Sequence, residues 1–389
     1  MVATRRVLSE RFPGAQYTLL VPAASAQEDS ALEDVYQIRC VPYRPSPLLA
    51  MVAVLRLLGL RLRPRSLSPM LDVFERADVV IDIWGIGFSD ALGSRSFRSR
   101  FASGLHFLLA KALRKPVIKY TADYGPLATR WSRFFARLYL GRCVDLILAR
   151  DAQSRDAVAS LGIRTPVYVC PDTAFMLEPQ PSAMAMSLAE RRRTQPIIGL
   201  SVSHQIDTRS RGNGDYVGLM AGLADHVVAA TGAHVVLIAN ELAQAASADD
   251  ARIVQAVLDR MAARTSAQAV TAYRSASELK GVIQQCDAVV AARYHTLVAA
   301  LSMGIPSLAV GWHHKYEGLL GLVGQERFAC DYQTLSLSGL TALFDDLWAN
   351  REAIGETITA HLPAITQQVM AGAEHAATVL ASRRQGAMR

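Results

Sequence analysis

Short apolar runs alternate along this chain with longer segments whose apolar positions recur at helical spacing. In the first half the runs fall at 17–21, 35–40, 79–83, 116–121, 144–149 and 167–170. Helical patterns separate them at 71–76, 101–113, up to about 140, and 154–161, and another opens the chain at 2–12. In the second half, runs at 197–202, 234–239, 269–272, 288–292 and 307–310 are separated by helical patterns at 216–230, 249–263 and 279–285. A repeated strand–helix alternation predicts an α/β fold with mostly parallel sheets. The rhythm breaks at 178–194, where Pro179 and Pro181 precede an Arg-rich tail. The expected organisation is therefore a first Rossmann-like domain over 1–180, a linker at 181–195, a second Rossmann-like domain over 196–350, and terminal helices over 351–389, with 354–380 as a pair.

The most informative stretch runs from Asp287 to Lys315. The run 288–292 suits a strand buried on both faces. Leu297, Val298 and Leu301 then recur at helical spacing, Gly304 stands where a helix would end, and Pro306 prevents continuation. This places Arg293, Tyr294 and His295 where a strand hands over to a helix N-terminus, and Lys315 beyond the end of the following strand. In an open parallel sheet both places face the ligand crevice. Two cations, a histidine and free helix N–H groups point to an anionic ligand carrying phosphate.

Composition narrows the partners. The net charge of +7 and pI near 9.3 suit acidic small molecules, anionic lipid or nucleic acid. Aromatic residues are few and no basic run alternates with them, so nucleic acid is the weakest of the three. Cys40, Cys143, Cys170, Cys286 and Cys330 are scattered and fit neither a metal spacing nor a disulfide framework. With no visible signal peptide, they suggest a reducing cytoplasm. The apolar segment 48–62 carries Arg56 and Arg61 and is too short and too charged to span a bilayer. It either lies on a membrane surface, such as the inner face of the plasma membrane, or packs on the sheet of its own domain, the plainer reading.

Nucleotide-binding glycine motifs of the G-x-G-x-x-G and Walker types are absent. Gly85 and Gly87 follow a strand and mark either a tight turn or a close backbone approach to a ligand, with Asp90 at its rim. Arg150 closes a strand, and Asp151 and Ser154 suit the start of the next helix. Asp172 also follows a strand, though after Pro171 it fits ordinary turn chemistry. His313 and His314 have no accompanying ligand spacing, so no metal is expected.

Taken in order, these pieces resemble the polysaccharide pyruvyl transferase family over roughly residues 10–330. They are Trp84-Gly85-Ile86-Gly87 with Asp90; Gly125-Pro126; Arg150-Asp151 with Ser154 and Leu161-Gly162; Pro171-Asp172 with Ala174-Phe175; and Arg293-Tyr294-His295 with Ala300, Gly304, Pro306 and Lys315. The family's triple glycine is reduced here, and Tyr294 stands where leucine is common. The resemblance implies two Rossmann-like halves in a GT-B-like arrangement. It also implies transfer of the enolpyruvyl group of phosphoenolpyruvate to two hydroxyls of a cell-envelope or exopolysaccharide sugar, free or lipid-linked, giving a pyruvate ketal. By that analogy His295, Arg150 and Lys315 are the functional residues, Arg293 lies near the donor, and no cofactor is needed beyond the donor substrate. The chemistry fits: the donor carries a phosphate and a carboxylate, and histidine suits a general acid that protonates its methylene carbon. Asp90 and Asp172 are the candidate bases toward the acceptor.

Two other readings share the fold. One is a GT-B glycosyltransferase using a nucleotide sugar, for which Glu317 is the carboxylate available to a ribose. The other is a non-catalytic partner in glycan assembly. The resemblance also implies a strand and a glycine-containing loop before the helical segment 2–12, so the expectation is either an upstream in-frame extension or a genuinely shortened domain with an exposed sheet position.

Overall fold

The computed structural model describes the whole chain except residues 24–32, 34–37, 91–95, 211–213, 243–248, 312–314, 335 and 388–389. The chain divides into two compact units, Met1–Thr173 with Gln367–Arg389, and Ala174–Thr366.

The second unit carries a six-stranded sheet in the order β10-β9-β8-β11-β12-β13. Its strands are β8 (Ile197–Ser201), β9 (His234–Ile238), β10 (Ala267–Val270), β11 (Ala288–Ala291), β12 (Ser307–Gly311) and β13 (Ala329–Asp331). Every pairing is parallel. From β8 the chain winds one way to β10, then restarts at β11 and winds the other way to β13, so the topological switch lies between β8 and β11. Ligands of such sheets bind at that point, outside the strands' carboxyl ends. The strands β8, β9, β11 and β12 are buried throughout, which explains their unbroken apolar character. After β11, the helix Tyr294–Leu301 ends as the sequence predicts: Gly304 has φ +73°, and the Ile305 N–H reaches back to the Ala300 carbonyl at 3.1 Å.

In the first unit, β1 (Thr18–Pro22) and β2 (Arg39–Tyr43) form a parallel pair. A second sheet runs β3 (Val80–Asp82), β5 (Val117–Tyr124), β6 (Leu146–Ala149) and β7 (Val167–Val169), with β4 (Ile86–Gly87) also paired to β5. All these pairings are parallel as well. β5 is buried along its full length although it contains Lys119, Thr121 and Asp123. Charged side chains survive burial only when paired, so this strand must carry its own counter-ions.

Three expectations are corrected. The stretch expected as a linker holds the helix Ala183–Arg192, whose first turn is capped by the Ser182 hydroxyl accepting from Ala185 N–H, and it belongs to the second unit. The chain divides instead at Thr173/Ala174. The expected terminal pair is one helix, Arg351–Ala387, which continues through Pro363 and returns to the first unit from Gln367 onward. The predicted helix 101–113 is interrupted at Gly104, giving Phe97–Ser103 and Leu105–Ala112. There the Tyr139 ring occupies the space a Cβ would take, and its hydroxyl donates to the Phe101 carbonyl at 2.7 Å. Among the described residues, no helix is long and apolar enough to cross a membrane.

Candidate functional site

At the β8/β11 switch of the second unit, Arg293 is the N-cap residue of the helix Tyr294–Leu301 and contributes no side-chain cap to it. Its guanidinium turns instead to the starts of the helices Asp250–Arg260 and His204–Ser210 and to Glu241 beyond β9. Nε donates to Asp250 Oδ2 at 2.8 Å, Nη2 donates to Asp250 Oδ1 and lies 2.7 Å from His204 Nδ1, and Nη1 faces Glu241 Oε2 at 2.8 Å. Asp250 is fully buried and also accepts the N–H groups of His204 and Glu241, both at 2.9 Å. Burial alone would weaken protonation of Arg293, but the hydrogen bonds and charge of Asp250, reinforced by Glu241, hold its pKa above the ordinary value. The two partners differ in one respect that matters. The Asp250 side chain has no exposure, whereas that of Glu241 is 46% exposed. Glu241 can give way to a ligand and Asp250 cannot.

His295 stands exposed in the first turn of the same helix, and its ring meets Tyr294 edge-on at 5.8 Å. Lys315, at the start of the helix Lys315–Gly321, places its ammonium 5.1 Å from the centre of the Tyr294 ring and 5.3 Å from that of Tyr316. Tyr294 itself is buried, and the Tyr316 hydroxyl donates to the Ala292 carbonyl at 3.1 Å. The structure thus gathers His295, Tyr294, Lys315 and Arg293 around the end of β11, as the sequence predicts. His313 and His314 lie outside the described residues.

The first unit arranges its charges differently. Arg150 is buried at the end of β6, with Nη1 donating to Asp123 Oδ2 at 2.7 Å and Nη2 facing Asp172 Oδ2 at 2.7 Å. Gly85 lies directly against this guanidinium: a Cβ there would sit 2.7 Å from Arg150 Nη2. Gly87 is pressed in the same way against the Tyr124 ring, at 2.8 Å. The two glycines therefore admit protein side chains, the Arg150 guanidinium at Gly85 and the Tyr124 ring at Gly87. Asp90 accepts from Arg100 at 2.8 Å, from Thr129 N–H at 2.8 Å and from the Ser132 hydroxyl at 2.7 Å, tying down the start of the helix Arg130–Arg142. Against the cost of its burial, these hydrogen bonds hold its carboxyl below the usual range.

A neighbouring trio escaped the sequence reading. Lys119 Nζ donates to Asp82 Oδ1 at 2.7 Å and to the Trp84 carbonyl at 2.6 Å, while Asp82 Oδ2 lies 2.8 Å from His106 Nε2. Burial alone would raise the Asp82 pKa, but the Lys119 charge and the His106 hydrogen bond drive it well below the ordinary carboxylate value.

The profile of the polysaccharide pyruvyl transferase family matches residues 1–314. The chain belongs to the polysaccharide pyruvyl transferase family. One relative is the amylovoran biosynthesis protein AmsJ of Erwinia amylovora, 23% identical over 327 residues that span 82% of this chain and 76% of AmsJ. Among solved structures, Alr3699/HepE of Anabaena in complex with UDP-glucose superposes with a TM-score of 0.59 at 12% identity, covering 98% of this pyruvyl transferase family chain and 95% of its own. The UDP-GlcNAc 2-epimerase of Neisseria meningitidis bound to UDP-GlcNAc gives 0.57 at 10% identity, covering 98% and 96%. At these identities the structural likeness speaks for the fold, two Rossmann-like domains of the GT-B class. Membership in the pyruvyl transferase family makes this chain a transferase of polysaccharide modification.

Proposed function

We propose that this protein transfers the enolpyruvyl carbon of phosphoenolpyruvate to two hydroxyls of a polysaccharide-building sugar, forming a cyclic pyruvate ketal. The observation that carries this reading is the pairing of an exposed His295 in the first turn of a helix with the Lys315 ammonium, both set against Tyr294. First-turn N–H groups and a lysine suit a phosphate, and an adjacent histidine suits proton delivery to the donor carbon.

In this scheme His295 protonates the methylene carbon, and the electron pair of the double bond forms the new C–H bond. C2, left electron-poor, takes the first sugar hydroxyl, whose proton returns to the imidazole. The C–O bond to phosphate then breaks, the second hydroxyl closes the ring, and its proton leaves with inorganic phosphate. Lys315 and the helix N-terminus stabilise the departing phosphate. Arg293 offers Nη1 to the donor by exchanging the half-exposed Glu241, while Asp250 keeps its other nitrogens in place.

Arg150 receives a different role from the one implied by resemblance. Both of its partners, Asp123 and Asp172, are buried, so neither is available for exchange with a ligand. We assign Arg150 to positioning the strand ends of the first unit, and Asp90 and Asp172 likewise to structure rather than base catalysis.

The test is incubation with phosphoenolpyruvate and a set of vicinal and 1,3-diol glycans, free and lipid-linked, reading phosphate release together with the product mass. A pyruvate ketal formed with one phosphate released per acceptor supports the proposal. Calorimetric binding of a nucleotide sugar without any binding of phosphoenolpyruvate would overturn it in favour of glycosyl transfer.

A further inference from the structure

The helix Pro47–Leu57 has two apolar faces. Leu49, Val52 and Ala53 are buried, and the helix packs on Leu105–Ala112. The opposite face leaves Met51, Val54, Leu57 and Leu58 in solvent, and Leu60 and Leu62 extend it beyond the helix end. Six of the fourteen large hydrophobic side chains exposed among the described residues fall between 51 and 62. An apolar concentration of this kind marks an interaction surface.

The segment beyond the helix is locally fixed. Gly59, at φ +83°, closes the helix: its N–H meets the Arg56 carbonyl at 3.1 Å, and the Leu60 N–H meets the Leu55 carbonyl at 2.9 Å. This paired closing motif sets the course of the chain into Leu60 and Leu62.

Charge identifies the occupant. Residues 44–65 contain five arginines and no acidic residue. Arg56 pairs with Glu75 at 2.8 Å, and Arg63 pairs with both Glu75 and Asp72, so the nearby acids are matched. Arg44, before the helix, and Arg61 and Arg65, after it, are exposed. Exposed aliphatic side chains flanked in sequence by exposed arginines, on a helix too short to span a bilayer, suit the plane of a membrane surface. We propose that this face docks the protein on an anionic lipid bilayer, with the leucines at the acyl boundary and the arginines among the headgroups. This membrane contact does not depend on the transfer chemistry.

Flotation of the full chain with phosphatidylcholine vesicles, with and without phosphatidylglycerol, tests the proposal. Binding should require phosphatidylglycerol and weaken with salt. The triple variant R44Q/R61Q/R65Q should lose about five-fold in partitioning per arginine. L58D/L60D should lose on the order of tenfold or more per leucine, with an unchanged circular dichroism spectrum and melting temperature, because both positions are exposed. Equal binding of the wild type to both vesicle types, or undiminished binding by L58D/L60D, would overturn the proposal. So would a wild-type dimer that L58D/L60D converts to a monomer, which would make the face a contact between copies.

Discussion

Arg293 binds Asp250 through two of its nitrogens and leaves the third to Glu241, so that one guanidinium has a fixed side and an exchangeable side. Asp250 has no solvent exposure, and removing it leaves Arg293 with the half-exposed Glu241 as its carboxylate partner and takes the acceptor from the N–H groups of His204 and Glu241. Breaking a buried pair in this way costs about 3–5 kcal/mol. Asp250→Ala should therefore lower the chemical denaturation midpoint strongly. Glu241→Gln, at a partner half in solvent, should cost no more than about 1 kcal/mol. It should also tighten phosphoenolpyruvate binding, because the competing carboxylate is gone. Calorimetry on Glu241→Gln decides this, and weaker donor binding would show that Arg293 Nη1 does not serve the donor.

His295 is exposed, and substitutions at exposed positions cost little stability, so His295→Ala should stay close to the wild-type melting temperature. A general acid contributes about a hundred- to ten-thousand-fold to turnover. Phosphate release should fall within that range while donor affinity stays within a few-fold. Near-normal turnover in the folded variant would remove His295 from the proton-transfer step.

Arg150 tests the difference between binding a ligand and holding a framework. Arg150→Lys supplies charge, but an ammonium cannot reproduce the planar bridge between Asp123 and Asp172. Arg150→Ala takes the shared guanidinium from two buried carboxylates and should destabilise the protein by about 3–5 kcal/mol. Gly85→Ala should act through the same contact, because its new methyl would meet the guanidinium. All three variants should lower stability while phosphoenolpyruvate affinity, measured by calorimetry below the unfolding transition, stays unchanged. A stable Arg150→Ala variant with weakened donor binding would return Arg150 to the donor site.

The sequence exposed the parts of the fold that repeat. Apolar runs such as 288–292 are buried on both faces and have no competing local pattern, so strand, turn and helix around Arg293 and His295 could be placed from spacing alone. The helix Ala183–Arg192 is hidden in the sequence because Pro179 and Pro181 stop the preceding chain, while the Ser182 cap that starts the helix follows directly on them. The partners of the cations are harder to see, because Arg293 is met by residues distant in sequence: His204 and Asp250, which each open a helix, and Glu241, just beyond β9. One signal was available. Lys119 and Asp123 interrupt an apolar strand, and a charge inside a buried strand requires a counter-charge nearby. In the fold, Asp82 at the end of β3 and Arg150 after β6 meet that requirement.

The Asp82–Lys119–His106 trio predicts how stability responds to acid. The carboxyl of Asp82 is held below its ordinary pKa: burial opposes ionisation, but the Lys119 charge and the His106 hydrogen bond outweigh it. As pH falls, the unfolded chain takes up a proton at this residue near its ordinary value of about 4, while the folded protein resists protonation. The stabilisation is thus complete above about pH 4 and is lost as pH falls from there toward the folded-state value. Asp82→Asn removes this linkage and leaves Lys119 buried without its counter-charge. The variant should be markedly less stable than the wild type at neutral pH, and the gap should narrow as denaturation midpoints are followed down to about pH 3. Because Asp90 is depressed for its own reasons and is present in both proteins, its contribution cancels in the comparison. A constant gap between wild type and Asp82→Asn across that range would mean that the pKa of Asp82 is the same in the folded and unfolded protein.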